Sequence, residues 1–499
     1  MFSTLRNNII LRIGMAVTAA LLLFLLWTVF ATVGDWQDEY SFAALLWAVM
    51  PVLIACAGMW IPGRGRWFAL GLFAAAFGLK LAIALWAAAE PFSDFLTMYN
   101  AAADLSRGGF DETQAYWPYL LRWAYQTFFV AYEAVILWAF PSSFGLTPLL
   151  MTNTLWMAGA NVLVYALARQ CMSERGARLA ALLYLLFPAP YLLAPVLTNQ
   201  HVSLFFALLG LWLLMRGKRV VWFVPAGVCL AVGNALRPDV LLLAAALGGV
   251  LLLRLLGRLT RWKTEWQWKA VWADTMPVAV SVGVCWLTGV ALSAVFVVSG
   301  LNPNGLKNMN PEWKFVIGLN MATGGGFSQP LYDRVFPTAE GEKDVFLFDL
   351  ETSREVSRIV VREHMRMPKR AMADFLFEKT VRAWGFTEST SWAFRGQDER
   401  MTPFGVTVEE AAGVWRYAER IYFAVVCALA AFGAAMQWRR KDVSVVLVAC
   451  GLLLALFIGV HVLIEVQTRY RHFVMPFVFM LTAGVPLGFV RAKKGNLLE

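Results

Sequence analysis

The stretch Tyr119-Leu120-Leu121-Arg122-Trp123-Ala124-Tyr125-Gln126-Thr127-Phe128-Phe129-Val130-Ala131-Tyr132-Glu133-Ala134-Val135-Ile136-Leu137-Trp138-Ala139-Phe140 is apolar enough to pass for a membrane crossing. Whether it crosses decides the fold, because one crossing reverses the side of every loop that follows. If it spans, the basic residues from Arg169 to Arg254 fall on the opposite side from Arg64 and Arg66. Short cytoplasmic loops gather Lys and Arg, so that outcome conflicts with the charge pattern. The stretch also carries Arg122, Gln126 and Glu133 and is rich in Trp and Tyr, which suits an interfacial or re-entrant helix. Read as non-spanning, it leaves about twelve crossings with both termini in the cytoplasm.

Working outward, composition places the whole chain in lipid. Of 499 residues, 59% are hydrophobic and 15% charged, against about 45–50% and about 25% in soluble domains. Apolar runs of spanning length fall at about 10–33, 42–60, 67–89, 149–169, 178–196, 199–216, 220–236, 238–255, 276–300, 419–438, 443–464 and 472–490. Arg6 and Arg12 precede the first, which reads as a signal anchor. The net charge of +10 sits mostly in clusters: Arg64/Arg66, Arg169/Arg175/Arg178, Arg216/Lys218/Arg219, Arg254 to Lys269, Arg439/Arg440/Lys441 and Arg491/Lys493/Lys494. That spacing reports orientation, not nucleic-acid binding. Asp35-Trp36-Gln37-Asp38-Glu39 is acidic and belongs outside. The six cysteines show no CxxC spacing, and no P-loop, GxGxxG, HExxH or GxSxG motif occurs.

The fold expected is an all-α polytopic membrane protein with interfacial helices and a small, mainly helical outer cap. Residues 1–300 form a transmembrane module with a first outer loop at 90–118 and an interfacial helix at 119–140. Residues 301–418 form the cap, and 419–499 hold the C-terminal spans. The cap opens on Asn302-Pro303-Asn304-Gly305, includes Gly324-Gly325-Gly326 and has a charged helical middle from Glu351 to Arg370.

Three features meet on the outer face: the Asp94 loop, the polar segment 301–418 and Glu465-Val466-Gln467-Thr468-Arg469-Tyr470-Arg471-His472. In the first loop, Ser93 can cap a helix with Asp94 in its first turn, and Gly108-Gly109 stops it after about three turns. Phe95, Met98, Ala102 and Leu105 give that helix one apolar face. Asp94 is then either a helix-dipole charge or a carboxylate posted where the chain leaves the lipid. Arg237-Pro238-Asp239 is a local ion pair at a turn or a cation lining an outer cavity. Arg469-Tyr470-Arg471-His472 is an anchor cluster or a grip for a phosphate, and the outer face favours the phosphate. His201, in Thr198-Asn199-Gln200-His201, is a weaker candidate. Lys80, inside a span, reads as a snorkelling or bundle-paired cation.

A span followed by Ser93-Asp94-Phe95-x3-Tyr99-x2-Ala102 and Gly108-Gly109 resembles the first outer loop of GT-C membrane glycosyltransferases. The similarity is to bacterial members of glycosyltransferase family 39, related to protein O-mannosyltransferases and aminoarabinose transferases. Further matching pieces are Arg122-x3-Gln126-x5-Tyr132-Glu133, Leu236-Arg237-Pro238, Ile317-Gly318-Leu319-Asn320, Glu378-Lys379-x4-Trp384 and Glu465-x-Gln467-x-Arg469-Tyr470-Arg471. The resemblance implies an inverting transferase in the bacterial cytoplasmic membrane, acting on the extracytoplasmic face. Its partners would be a polyprenyl-phosphate-linked sugar donor, membrane lipid, and a glycan, lipid or protein acceptor, with no nucleic acid. Asp94 would be the general base, while Arg237, Arg469, Arg471, Tyr99, Gln126, His201 and Lys379 would bind substrate. O-mannosyltransferases usually carry Asp-Glu where this chain has Asp94-Phe95; Asp104, Asp111 and Glu112 could supply a second carboxylate. No cofactor is predicted. A divalent metal, Mg2+ or Mn2+, is compatible with the chemistry but has no ligand set in the sequence to support it.

Two other classes compete: a flippase for a lipid-linked glycan, suggested by the spans and intramembrane charges, and a non-catalytic partner of a glycan-assembly enzyme. The halves of the chain show no corresponding pair of broken helices, which weighs against a flippase. The orientation is directly testable. A cysteine introduced at position 265 is expected to react with a membrane-impermeant maleimide only after the cytoplasmic side is opened. Labelling from outside in intact cells reverses the assignment.

Overall fold

The computed structural model describes residues 5–6, 9–32, 38–217, 219–259, 268–339, 346–440 and 442–485. The acidic loop around Asp35, Lys218, position 265, Lys441 and Arg491/Lys493/Lys494 lie outside the described residues. The helices in order are α1 (Ile9–Ala31), α2 (Asp38–Gly58), α3 (Gly65–Ala87), α4 (Asp94–Arg107), α5 (Trp117–Arg122), α6 (Thr127–Ala139), α7 (Thr147–Cys171) and α8 (Glu174–Leu185). Then come α9 (Pro188–Leu193), α10 (Gln200–Arg216), α11 (Val220–Leu236), α12 (Val240–Leu259), α13 (Trp268–Val298), α14 (Trp313–Gly318) and α15 (Gln329–Val335). The last are α16 (Leu350–Met365), α17 (Lys369–Gly385), α18 (Ser389–Ala393), α19 (Val408–Arg439), α20 (Val445–Leu463) and α21 (Met475–Thr482). Leu5–Arg6 pairs antiparallel with Asp442–Val443.

Among the described residues, seven helices are long and apolar enough to cross a membrane, and α10, α11 and Phe42–Gly58 are shorter apolar helices. The run at 178–196 is split into α8 and α9 at Phe187-Pro188, since a proline takes the first turn of a helix but not its interior. The chain is an all-α polytopic membrane protein.

Helices that are apolar all round show their packing face only by burial. In α1, Leu11, Met15, Leu22, Leu25 and Val29 are buried against α19, while Ile13, Val17, Trp27 and Phe30 remain exposed. At one end of the bundle, Arg178 donates to the carbonyls of Ile61 and Gly63, and Arg169 pairs with Glu174 at 3.0 Å. Following α3 from Gly65 to Ala87 leads from this basic end to the Asp94 loop at the other.

The stretch 119–140 is broken. It forms α5, a 3-10 turn at Ala124–Gln126, and α6, whose 13 residues cover ~20 Å of a ~30 Å core. The cap causes the break by taking the carbonyls that a continuous helix would use. Asn302 Nδ2 donates to Leu120 O at 2.9 Å, Asn304 Nδ2 to Leu121 O at 3.0 Å, and Met309 N to Arg122 O at 3.1 Å. Arg122 itself lies over the Phe336 and Phe346 rings in the small cap core of Trp123, Trp313, Ile317, Val335, Phe336 and Val360.

α19 and the end of α21 approach closely where Gly433 faces the Leu481 carbonyl and leaves no room for a Cβ. Gly433→Val is expected to destabilise the bundle by about 1–3 kcal/mol or more through overpacking. A lowered thermal midpoint in detergent checks this; an unchanged midpoint would mean the two helices are not so closely seated.

Candidate functional site

The Asp94 helix forms as its residues dictate, with two corrections. Asp94 opens α4 and Gly108 closes it with φ 78°, but the helix runs 14 residues, about four turns. Ser93 occupies the cap position without a side-chain cap bond, and its φ of 52° is the left-handed region that strains a non-glycine. Asp94 at N1 thus serves as the first-turn charge. Phe95, Met98, Ala101 and Ala102 bury the inner face of α4 against α6, together with Leu120, Phe129 and Val130.

The Asp94 residue is exposed on the surface, and Lys314, Arg469 and Glu465 are near enough for their charges to act on its carboxyl. The protein packed around the carboxyl raises its pKa above the usual aspartate range; Lys314 and Arg469 pull it back and Glu465 adds to the rise. A helix N-terminus and nearby arginines both favour the charged form. Burial outweighs both. The neighbouring Tyr119 phenol feels the same carboxylate, and Tyr119 is hydrogen-bonded to Gln126.

Beside Asp94 stands a network from three parts of the chain. Lys314 Nζ, from α14, meets Glu465 Oε2 at 2.5 Å; Tyr470 donates to the same oxygen at 3.1 Å and Gln467 Nε2 to Oε1 at 2.9 Å. Burial alone would push the Glu465 carboxyl up, but Lys314 and the Gln467 hydrogen bond hold it below the ordinary value. Arg469 Nε donates to Gln467 Oε1 at 2.5 Å, and its guanidinium lies 4.0 Å over the Trp392 ring and 4.8 Å over Phe95. Arg237 is paired with Asp239 at 2.6 Å and stacks on the Tyr470 ring at 5.1 Å, where Arg469 stacks at 5.6 Å. Two arginines therefore share the Tyr470 ring. Gln126 accepts from Asn199 Nδ2 at 3.0 Å, and Asn199 also donates to Leu236 O, next to Arg237.

Other candidates from the sequence lie elsewhere. Arg471 turns inward: it donates to Thr468 O, Trp384 O and Phe386 O at 3.1, 2.9 and 2.8 Å and lies 3.8 Å from Glu419. The Trp384 and Phe386 carbonyls end α17 and need a donor, so the guanidinium holds the fold together there. His201 is fully buried between His472, at 3.2 Å, and Leu193 O, at 3.0 Å. Lys379 is 1% exposed with its ammonium spent on three carbonyls. Tyr99 packs with Tyr132, Ala84 and Ile136. Lys80 donates to Asn161 at 3.0 Å inside the bundle.

The sequence reading missed Lys314, Glu465, Tyr119, Tyr125 and Trp392 as site residues. Glu465 stands in a motif already quoted, but Lys314 gives no local signal; only the fold brings it to Glu465 across 151 positions. Glu465 is also near enough to Asp94 for its charge to raise the Asp94 pKa. Among the described residues, no group of three or more His, Cys, Asp or Glu gathers as a metal ion would require. A cavity of about 300 Å³ opens on another side, between α17 and the Gly324 turn, lined by Asp374, Glu378, Lys379 and Arg382. Asp94 is not part of its wall.

Residues 128–286 match the family described as dolichyl-phosphate-mannose-protein mannosyltransferase. No curated protein matches the chain. The family match bears out the resemblance read from the sequence and supports a membrane glycosyltransferase of GT-C type. It spans Glu133, His201 and Arg237, starts after Asp94 and ends before Lys314.

Proposed function

We propose that this chain transfers a sugar from a polyprenyl-phosphate-linked donor to an acceptor hydroxyl, with inversion, and that Asp94 is the general base. The observation that carries the reading is the gathering of Lys314, Arg469 and Arg237 around Glu465 and Tyr470, with the Asp94 carboxyl near enough to feel Lys314 and Arg469, at the bundle end remote from Arg169 and Arg178. A lipid-linked donor keeps its tail in the bilayer and presents its phosphate at this depth. In this reading the end lies outside and both termini inside, which the positive-inside rule supports, and the membrane is the bacterial cytoplasmic one that the family resemblance implies.

The chemistry is a single displacement. The acceptor oxygen attacks the anomeric carbon while its proton passes to Asp94, and the bond from that carbon to the phosphate oxygen breaks. The electron pair leaves with the lipid phosphate, whose charge Arg237 and Arg469 stabilise as it develops. Arginine suits the task because it stays charged near lipid and grips two phosphate oxygens at once. The acceptor is a glycan, lipid or protein hydroxyl.

Asp94→Asn is expected to abolish turnover while the protein keeps its fold and its donor lipid. Near-normal turnover would place the base elsewhere; a flippase would scarcely notice the change. The base works only when ionised, so activity should be present above its pKa and fall as pH drops through it. The acid limb of kcat/KM should therefore lie above about 3.9, the ordinary aspartate value, and a limb at or below that value contradicts the assignment.

Arg469→Ala should weaken binding of a polyprenyl monophosphate in nanodiscs. Losing one charged contact is worth about 1.5–3 kcal/mol, or roughly ten- to a hundredfold in Kd. Lysine should restore part of this, since its charge remains but the fork is lost. Unchanged affinity in the Ala variant removes Arg469 from the donor site.

A further inference from the structure

Lys379 lies in α17, buried to 1% exposure, and is one of the largest fully buried side chains of the protein. Its Nζ donates to Gly318 O at 2.6 Å, Ile464 O at 2.7 Å and Val462 O at 2.9 Å. The first carbonyl closes α14, the element that carries Lys314. The other two end α20, and one of them, Ile464 O, belongs to the residue immediately before Glu465. One ammonium therefore ties three separate parts of the chain at a single point.

The surroundings are shaped for that contact. Gly318 lies against the backbone of Leu463 and Ile464 with no space for a Cβ. Gly325 has φ 84°, and a Cβ there would stand 2.6 Å from Lys379 Cε. Two backbone bonds complete the lacing: Glu465 N to Lys314 O at 3.0 Å and Val466 N to Gly325 O at 3.1 Å. Both glycines fall in the cap stretch that precedes α17 by some fifty residues, so the approach is tertiary and not a local turn.

We propose that Lys379 is a positioning residue for the donor-phosphate site, acting through the Val462–Ile464 and Gly318 carbonyls on Glu465, Lys314 and Arg469 without touching the substrate. This rests on the reading that Arg469 binds the donor phosphate. Only a protonated amine supplies three N–H groups to three converging acceptors. A methionine of similar length supplies none, and three carbonyls ending α14 and α20 then lose their partner. The chain from Ile464 to Arg469 would be free to shift, and Arg469 is linked to Glu465 through Gln467 and through Tyr470, both on that same segment or next to it. A displacement there moves the guanidinium off its station over Trp392 and Phe95.

The test is the affinity of nanodisc-embedded protein for a polyprenyl monophosphate, with binding stoichiometry and thermal midpoint measured on the same samples. Lys379→Met is expected to raise Kd roughly three- to tenfold, less than loss of the direct Arg469 contact, with stoichiometry retained. Gly325→Ala presses on the same side chain from the opposite wall and should move Kd in the same direction, which decides the matter if Lys379→Met does not fold. Lys80→Met removes a different buried lysine and should lower the midpoint without moving Kd. Wild-type Kd in either folded Lys379 or Gly325 variant overturns the proposal, as does an equal Kd shift in Lys80→Met. If Arg469→Ala also binds with unchanged affinity, the donor-site reading itself fails, whatever Lys379 does.

Discussion

Helix ends at the edge of a bilayer leave carbonyls without partners, and in this protein long cationic side chains take them. Lys379 serves Gly318, Val462 and Ile464; Arg471 serves Thr468, Trp384 and Phe386; Arg420 serves Thr32; Arg400 serves Trp86 and Ala87; Arg178 serves Ile61 and Gly63. Water would do the same work for a soluble bundle, but with less directional constraint. Each cation here joins ends that are distant in sequence, so the satisfied backbone and the tertiary structure are one arrangement. The broken stretch at 119–127 obeys the same constraint with neutral donors, Asn302 and Asn304.

That economy explains which charges remain for chemistry. Arg471 and Lys379 are consumed by backbone, and Arg237 and Lys314 each have one carboxylate partner. Arg469 has only the Gln467 oxygen and aromatic faces. Burial lowers its pKa, opposed by Tyr470, Glu465 and Asp94, and the nearby Arg237 adds to the lowering. An anion placed between Arg237 and Arg469 would relieve that repulsion. Asp94 is short of partners in the opposite sense: burial raises it, and the cations only partly compensate. On the proposed function, the base and the anion cradle are the groups that the fold leaves incompletely neutralised.

Much of this was legible in the residues. The apolar runs gave the polytopic all-α class, the basic clusters separated the two ends of the bundle, and Gly108-Gly109 stopped the Asp94 helix where the glycines fall. The exceptions in the 119–140 stretch, Arg122, Gln126 and Glu133, marked a segment that does not form one long helix. Ser93 shows the limit of a local rule: its residue type fits a cap, but the preceding chain enters the helix at a positive φ that turns the hydroxyl away from that role.

The sequence by itself determined that the chain is a membrane-spanning bundle and that Asp94, Arg237 and Arg469 fall at one end of it. Hydropathy and charge act over twenty residues or fewer, so a single strand of text carries them. Tertiary structure alone decided that Arg469 faces Asp94 whereas Arg471, two positions on, faces helix-end carbonyls, and that Lys314 meets Glu465 across 151 positions. Direction within a 3-10 turn and contact between distant segments depend on where other backbone groups lack partners, and that is settled only when the helices have packed.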